Sequence, residues 1–262
     1  MSFRAMRPGD GVAWITGASS GIGAALALEL AGRGWTVAAS ARSVDRLADL
    51  ARRTTGRDGR IVAMPCDVTQ LDEARQTMDR ISAELGPVVL AVLNAGTYSA
   101  DRIGAIDVEA FRKIYDINVM GMTTVLSVLM PRMLADGRGQ VVLVGSVSGY
   151  GGLPMALAYG SSKAAVINLA ESLAVQARPK GVHVQLVSPG FVKTPLTDRN
   201  RFRMPFLVPV DKAARIIADG LGRRRFEIAF PWQLALPLKL LRFLPRGLYF
   251  RIVGRATGAS RR

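Results

Sequence analysis

Apolar residues along the chain come in short, almost unbroken runs: GVAWITG (11–17), TVAASAR (36–42), RIVAMPCDV (60–68), VVLAVLNAG (88–96), QVVLVGSVS (140–148), HVQLVSPG (183–190) and EIAFP (227–231). A strand with one wet face alternates polar and apolar positions, so a continuous run predicts a strand covered on both faces. Between the runs lie stretches with helical spacing, at 21–33, 43–53, 70–85, 107–135, 156–178 and 211–222. Strand and helix in alternation predict an α/β fold, a doubly wound parallel sheet of about seven strands with helices on both faces. Ligands of such folds sit beyond the carboxyl ends of the strands.

The first strand ends in Thr16-Gly17-Ala18-Ser19-Ser20-Gly21-Ile22-Gly23 and opens a helix. Glycines permit a tight turn and close backbone approach, the serines bring hydroxyls, and the helix start offers free N–H groups at the positive end of its dipole. That combination fits a pyrophosphate, although the spacing is GxxxGxG and not the more general GxGxxG. The second strand ends in Ala39-Ser40-Ala41-Arg42, with no carboxylate where a dinucleotide fold places one for the ribose. An arginine forks onto phosphate oxygens, so NADP(H) is expected over NAD(H); a solvent-facing arginine is the alternative. The third strand ends at Asp67-Val68, where a carboxylate can accept from an adenine amino group. The fourth ends at Asn94-Ala95-Gly96, small residues on which a ribose or adenine can lie. Ser146 and Ser148 close the fifth strand, and Ser188-Pro189-Gly190-Phe191-Val192-Lys193-Thr194 closes the sixth.

The stretch LAYGSSKAA places Tyr159 and Lys163 four residues apart at the start of a helix, hence on one face. A neighbouring cation favours phenolate and is expected to lower the phenol pKa, making the pair an acid/base device. An exposed helical pair without function is the alternative.

Taken together and in this order, TGASSGIG, CDV, NAG, Asn118, Ser146, YGSSK and SPGFVKT resemble the short-chain dehydrogenase/reductases, in their compact one-domain form, from Val12 to about Pro231. The resemblance implies a Rossmann-type fold with Tyr159 as general acid for ketone reduction and general base for alcohol oxidation. It implies that Lys163 lowers the phenol pKa and binds the nicotinamide ribose, that Ser146 bonds the substrate carbonyl oxygen, and that Asn118 holds a water in a proton relay through Lys163. Gly17, Ser19, Ser20, Gly21, Ile22 and Gly23 would hold the pyrophosphate. Arg42, Asp67, Val68, Asn94, Ala95 and Gly96 would line the adenosine half, and Pro189, Gly190, Val192 and Thr194 would meet the nicotinamide end. A homodimer or homotetramer through the helices around 107–135 and 156–178 is also implied. The leading expectation is an NADP(H)-dependent oxidoreductase; a noncatalytic NADP(H)-binding sensor or scaffold is the alternative, against which the intact Asn, Ser, Tyr and Lys count.

Charge and composition narrow the partners. The net charge of +15 is carried mostly by arginines, dispersed except at Arg223-Arg224-Arg225 and the tail, and reads as a solvated surface. No RRM, KH, zinc-finger or helix-turn-helix signature appears, so nucleic acid is not expected, nor is a metal. Cys66 is the only cysteine, which excludes an intrachain disulfide and fits a reducing, cytoplasmic setting. The N-terminus does not read as a secretory signal, and no run of eighteen apolar residues spans a bilayer. His183 and Cys66 are expected to be structural.

Past the unit 1–231, the extension 232–262 is apolar and basic with no acidic residue. Prolines 237 and 245 and the four cations of 232–253 exclude a conventional spanning helix, leaving a pair of short helices as cleft lid, subunit interface or anionic bilayer contact, the first two ranked slightly higher. The segment PLTDRNRFRMPFLVP (195–209) occupies the family's substrate loop, and its Phe, Met, Leu and Pro content points to an apolar or lipid-like carbonyl or alcohol substrate. Long-chain 3-keto lipids are one candidate, by analogy with ketosphinganine reductases.

Overall fold

The computed structural model describes residues 4–56, 58–101, 103–199 and 204–258. Seven parallel strands form one sheet in the order β3-β2-β1-β4-β5-β6-β7. They are β1 (Val12–Thr16), β2 (Thr36–Ser40), β3 (Arg60–Ala63), β4 (Val88–Leu93), β5 (Gly139–Val144), β6 (Val182–Pro189) and β7 (Glu227–Phe230). The helices between them are α1 (Gly21–Gly32), α2 (Val44–Arg52), α3 (Leu71–Glu84), α4 (Val108–Tyr115), α5 (Gly121–Ala135), α6 (Leu157–Ala177) and α7 (Val210–Leu221). After β7 the chain adds α8 (Trp232–Leu241) and α9 (Arg246–Thr257).

The unbroken apolar runs follow from this layering. Successive strand residues point to opposite faces, and both faces are covered. Ala13 and Ile15 of β1 pack with Leu26, Leu47 and Ile217 from α1, α2 and α7. Val12 and Trp14 pack on the other side with Ile81, Leu129 and Val166 from α3, α5 and α6. β1 sits between β2 and β4, so the connections leaving β1 and β4 diverge and open a crevice above their carboxyl ends.

Three boundaries differ from the sequence pattern. β3 stops at Ala63, two residues before Pro65, which has no N–H to give a ladder, although the Met64 and Cys66 amides still donate to the Ala39 and Ala41 carbonyls at 2.9 and 3.2 Å. β5 stops at Val144, so Ser146 and Ser148 lie in a turn, where the Ser146 hydroxyl accepts from the Ser148 amide at 3.2 Å. The expected helix 107–135 contains a π turn at Asp116–Met120, and π turns recur at functional sites. By length and composition the helical stretch Val108–Ala135 is apolar enough to cross a membrane, but Met122, Val125, Leu129 and Met133 are spent on the sheet.

The Arg223–Arg225 turn is exposed, as expected, and held by its backbone: the buried Gln185 amide donates to the carbonyls of Gly220, Arg223 and Arg225 at 3.2, 3.1 and 2.8 Å. Cys66 is buried and its thiol pKa is raised by desolvation; His183 is half-buried on β6, and desolvation lowers its pKa.

Candidate active site

The crevice has a glycine-rich half built by close backbone approach. Gly17 and Gly21 lie at φ +67° and +56°, a region in which a side chain is strained. A Cβ on Gly17 would also lie 2.7 Å from Ala95 Cα, and one on Gly23 would overlap the Gly17 carbonyl oxygen. The turn therefore seats α1 tightly against β1 and β4 and leaves the helix N-terminus facing the crevice. Asn94 locks it: its amide donates to the carbonyls of Thr16 and Gly17 at 3.1 and 3.2 Å.

This half of the crevice, about 600 Å³, is lined by Gly17, Ser19, Ser20, Gly21, Ile22, Arg42, Asp67, Val68, Asn94, Ala95, Gly96 and Thr194. That volume is typical of a small-molecule site. Gly23 is the exception among the expected residues, since it packs under the turn instead of lining the space. Arg42 is exposed at the rim, and Arg46, one turn along α2, stands with it on the same wall. Asp67 receives the amide and hydroxyl of Thr69 at 3.0 and 2.8 Å, which orients its carboxylate. A glycine turn at positive φ, a helix N-terminus and exposed arginines are donors that suit a phosphate-bearing ligand.

Ile22, Asn94, Gly96, Thr97, Thr194 and Leu196 line both this space and a smaller chamber of about 110 Å³, so the two are continuous. Ser146, Tyr159, Lys163, Pro189, Gly190 and Val192 line the chamber beyond these shared residues. The first turn of α6 carries Tyr159 into it, and Asp101 fixes that helix start by accepting from the Ala158 amide at 3.0 Å. Tyr98 meets the Tyr159 ring edge-on at 5.2 Å between centroids.

The tyrosine and lysine share a face, yet their electrostatics differ from the sequence expectation. Lys163 Nζ lies 5.7 Å from the Tyr159 ring centroid and donates to the Val144 carbonyl at 2.9 Å. The phenol pKa is raised: desolvation dominates, the Ser146 hydroxyl bond opposes it, and Tyr98 adds to the rise. Burial pushes Lys163 the other way, down to about 8. The phenol is thus pushed up and not down as expected, because losing water disfavours the phenolate. The consequence is a phenol that holds its proton at neutral pH.

Asn118 is fully buried in the π turn, and its side chain is used up by protein partners. Oδ1 accepts from the Thr97 amide at 2.7 Å, while Nδ2 donates to the Thr97 carbonyl and Ser162 Oγ at 3.1 and 3.0 Å. Ser162 in turn donates to the Tyr159 carbonyl at 2.7 Å. The Asn118 amide therefore ties the β4 end to α6 beside both catalytic candidates. Sequence reading missed Thr97, Tyr98 and Arg46 and gave Ser162 of YGSSK and Leu196 of the substrate loop no role of their own; only Arg46, four residues after Arg42, left a spacing signal.

Comparison with known proteins agrees with this geometry. Residues 11–204 match the family described as short chain dehydrogenase. An uncharacterized oxidoreductase of Myxococcus xanthus is 38% identical over 237 residues, covering 90% of this chain and 94% of its own. A short-chain dehydrogenase from Sphingobium yanoikuyae in complex with NADPH superposes with a TM-score of 0.78 at 28% identity, over 91% of this chain and 94% of that one. A family member from Burkholderia phymatum in complex with NAD has a TM-score of 0.81 at 24% identity, over 91% and 94%, a likeness of fold alone. A glycine-turned crevice at the sheet's switch point, opening onto a chamber with Ser146, Tyr159 and Lys163, thus sits on a chain that belongs to the short-chain dehydrogenase/reductases, a family of oxidoreductases.

Proposed function

We propose that the protein is an NADP(H)-dependent oxidoreductase that interconverts an apolar carbonyl compound and its secondary alcohol. The observation that carries this reading is the convergence of Ser146, Tyr159 and Lys163 on one chamber continuous with the glycine-rich crevice. Bound there, the nicotinamide dinucleotide supplies or takes up the hydride.

The chain's own groups divide the remaining work. Negative charge builds on the substrate oxygen during reduction, so donors must face the point where it develops. The Ser148 amide and hydroxyl fix Ser146 Oγ, which offers its proton to that oxygen. Tyr159 delivers the proton that completes the alcohol, and in the reverse direction receives it. Lys163 would hold the cofactor ribose, and with its pKa lowered to about 8 it carries a positive charge near neutral pH, 5.7 Å from the Tyr159 ring centroid. Asn118 positions α6 through Ser162. Gly17, Ser19, Ser20, Gly21 and Ile22 would receive the pyrophosphate, with Gly23 packed beneath the turn, and Asp67 and Val68 would receive the adenine.

Preference for NADP(H) rests on Arg42 and Arg46 at the adenosine rim, both exposed. The apolar substrate rests on Leu196 in the chamber wall and on Met155, Phe206 and Leu207, which are 42%, 54% and 42% exposed in the segments flanking the sheet's carboxyl end. Part of the substrate loop, residues 200–203, lies outside the described residues. Assembly as a homodimer or homotetramer through α4, α5 and α6 completes the reading.

The test is cofactor consumption over a ketone series from short ketones to acyl-chain compounds, for wild type and Arg42→Asp. We expect NADPH to be preferred and the variant to lose NADPH affinity by about tenfold or more while keeping NADH. Parallel loss of both would show the phosphate contact to be misplaced. Binding without consumption across the series would favour a noncatalytic sensor.

A further inference from the structure

Besides Leu234, Leu238, Tyr249 and Val253, which face the core, a second set of large apolar side chains gathers on the outside of the C-terminal helices. In α8 and the turn after it, Trp232, Leu236, Leu240 and Phe243 recur at the spacing of a single helical stripe and are 69%, 50%, 57% and 85% exposed. Ala235 is the one side chain of α8 that is buried. α9 is held from below by buried Tyr249 and Val253 and turns Leu248, Phe250 and Ile252 outward. Single exposed apolar residues are ordinary, but a grouped set marks an interaction surface.

Charge identifies what covers it. No acidic residue follows Glu227 in the chain. Lys239 is spent on Glu227, whereas Arg242, Arg246, Arg251 and Arg255 are exposed and join no ion pair among the described residues. A two-fold contact between copies through this face would set the arginines of one against those of the other. A bilayer with anionic headgroups accommodates both features, since tryptophan, phenylalanine and leucine enter the acyl boundary while arginines reach the phosphates.

We infer that α8 and α9 form a docking surface for an anionic lipid bilayer, beside the mouth of the catalytic chamber. The extension abuts that mouth: a Cβ on Gly190 would lie 2.9 Å from Leu234 of α8, and the Tyr249 hydroxyl donates to the Gly152 carbonyl at 2.7 Å. The inference goes beyond the proposed reaction and does not rest on it, because vesicle binding is read without turnover.

The experiment is co-sedimentation of the full chain with vesicles of phosphatidylcholine, alone or mixed with phosphatidylglycerol, at low and physiological salt. Wild type is expected to bind the mixed vesicles at least about tenfold more tightly than the neutral ones, and less tightly as salt rises. The double variant Trp232→Ala/Phe243→Ala, at exposed positions the fold does not use, is expected to lose about tenfold or more. Arg242→Glu and Arg246→Glu should each cost about fivefold. Unchanged circular dichroism and melting confirm that the variants fold. Equal sedimentation of wild type and variants, or indifference to phosphatidylglycerol, overturns the inference. So does a drop in oligomeric mass for the double variant without vesicle binding by wild type, which would give the stripe to a second copy.

Discussion

Helices α6 and α8 are both apolar around most of their circumference, and the molecule uses them in opposite ways. α6 lies under β5 and β6 with Ala158, Gly160, Ser162, Val166, Ile167 and Ala170 buried, small residues toward its start allowing close approach. That approach brings Tyr159 and Lys163 into the chamber and strips water from both. α8 fully buries only Ala235, rests Leu234 and Leu238 on the core, and carries Trp232, Leu236 and Leu240 outward, next to exposed arginines. Composition alone does not separate these helices. What separates them is whether neighbouring elements supply a second apolar wall, so the same pattern yields a desolvated catalytic platform in one place and an adhesive surface in another.

The largest stability effect that tests this contrast is in α6. Ile167→Ala should cost about 2–5 kcal/mol in a denaturant titration, because the site is closed on all sides. A loss near zero would mean that α6 is not anchored as described.

Next comes the buried ammonium. Lys163 falls to about 8 in the fold but titrates near 10.4 when unfolded, so between those values the unfolded chain binds the extra proton. Stability must therefore rise with pH across that window, a penalty of about 3 kcal/mol being present below pH 8 and relieved toward pH 10. In Lys163→Met this contribution vanishes, so the stability difference between variant and wild type should narrow by that amount as pH rises. Chemical denaturation at a series of pH values measures it, and a constant difference would contradict the desolvated lysine.

The smallest effect belongs to α8. Leu236→Ser should stay within about 0.5 kcal/mol of wild type in the same titration, since the side chain is half exposed. A cost comparable to that at Ile167 would show that the stripe is already covered in solution.

The sheet and its cleft were readable because their cause is local. Strands buried on both faces write continuous apolar runs, and the turn after β1 needs glycine where φ is positive, so Gly17 and Gly21 announce themselves. Helical spacing put Tyr159 and Lys163 on one face and strand ends singled out Ser146, Asn94 and Arg42, whereas the catalytic roles came from the resemblance carried by all the motifs in order. What spacing did not carry was long-range. Asn118 meets Thr97 and Ser162 across gaps of 21 and 44 residues, and no pattern in either segment marks that junction. The direction of the Tyr159 shift was equally hidden, because it depends on how much water the folded chamber excludes, whereas the sequence records only which charge stands nearby. The extension's apolar and basic character was plain, but its exposure depends on what fails to pack against it.

The central claim is that the buried phenol of Tyr159 is the group that exchanges a proton with the substrate oxygen. It is tested most directly by comparing wild type and Tyr159→Phe in NADPH binding and in single-turnover NADPH oxidation with a ketone that wild type reduces. The account predicts cofactor affinity within about twofold and a fall in the chemical step of about 10²–10⁴. Oxidation by the phenylalanine variant at the wild-type rate would contradict it.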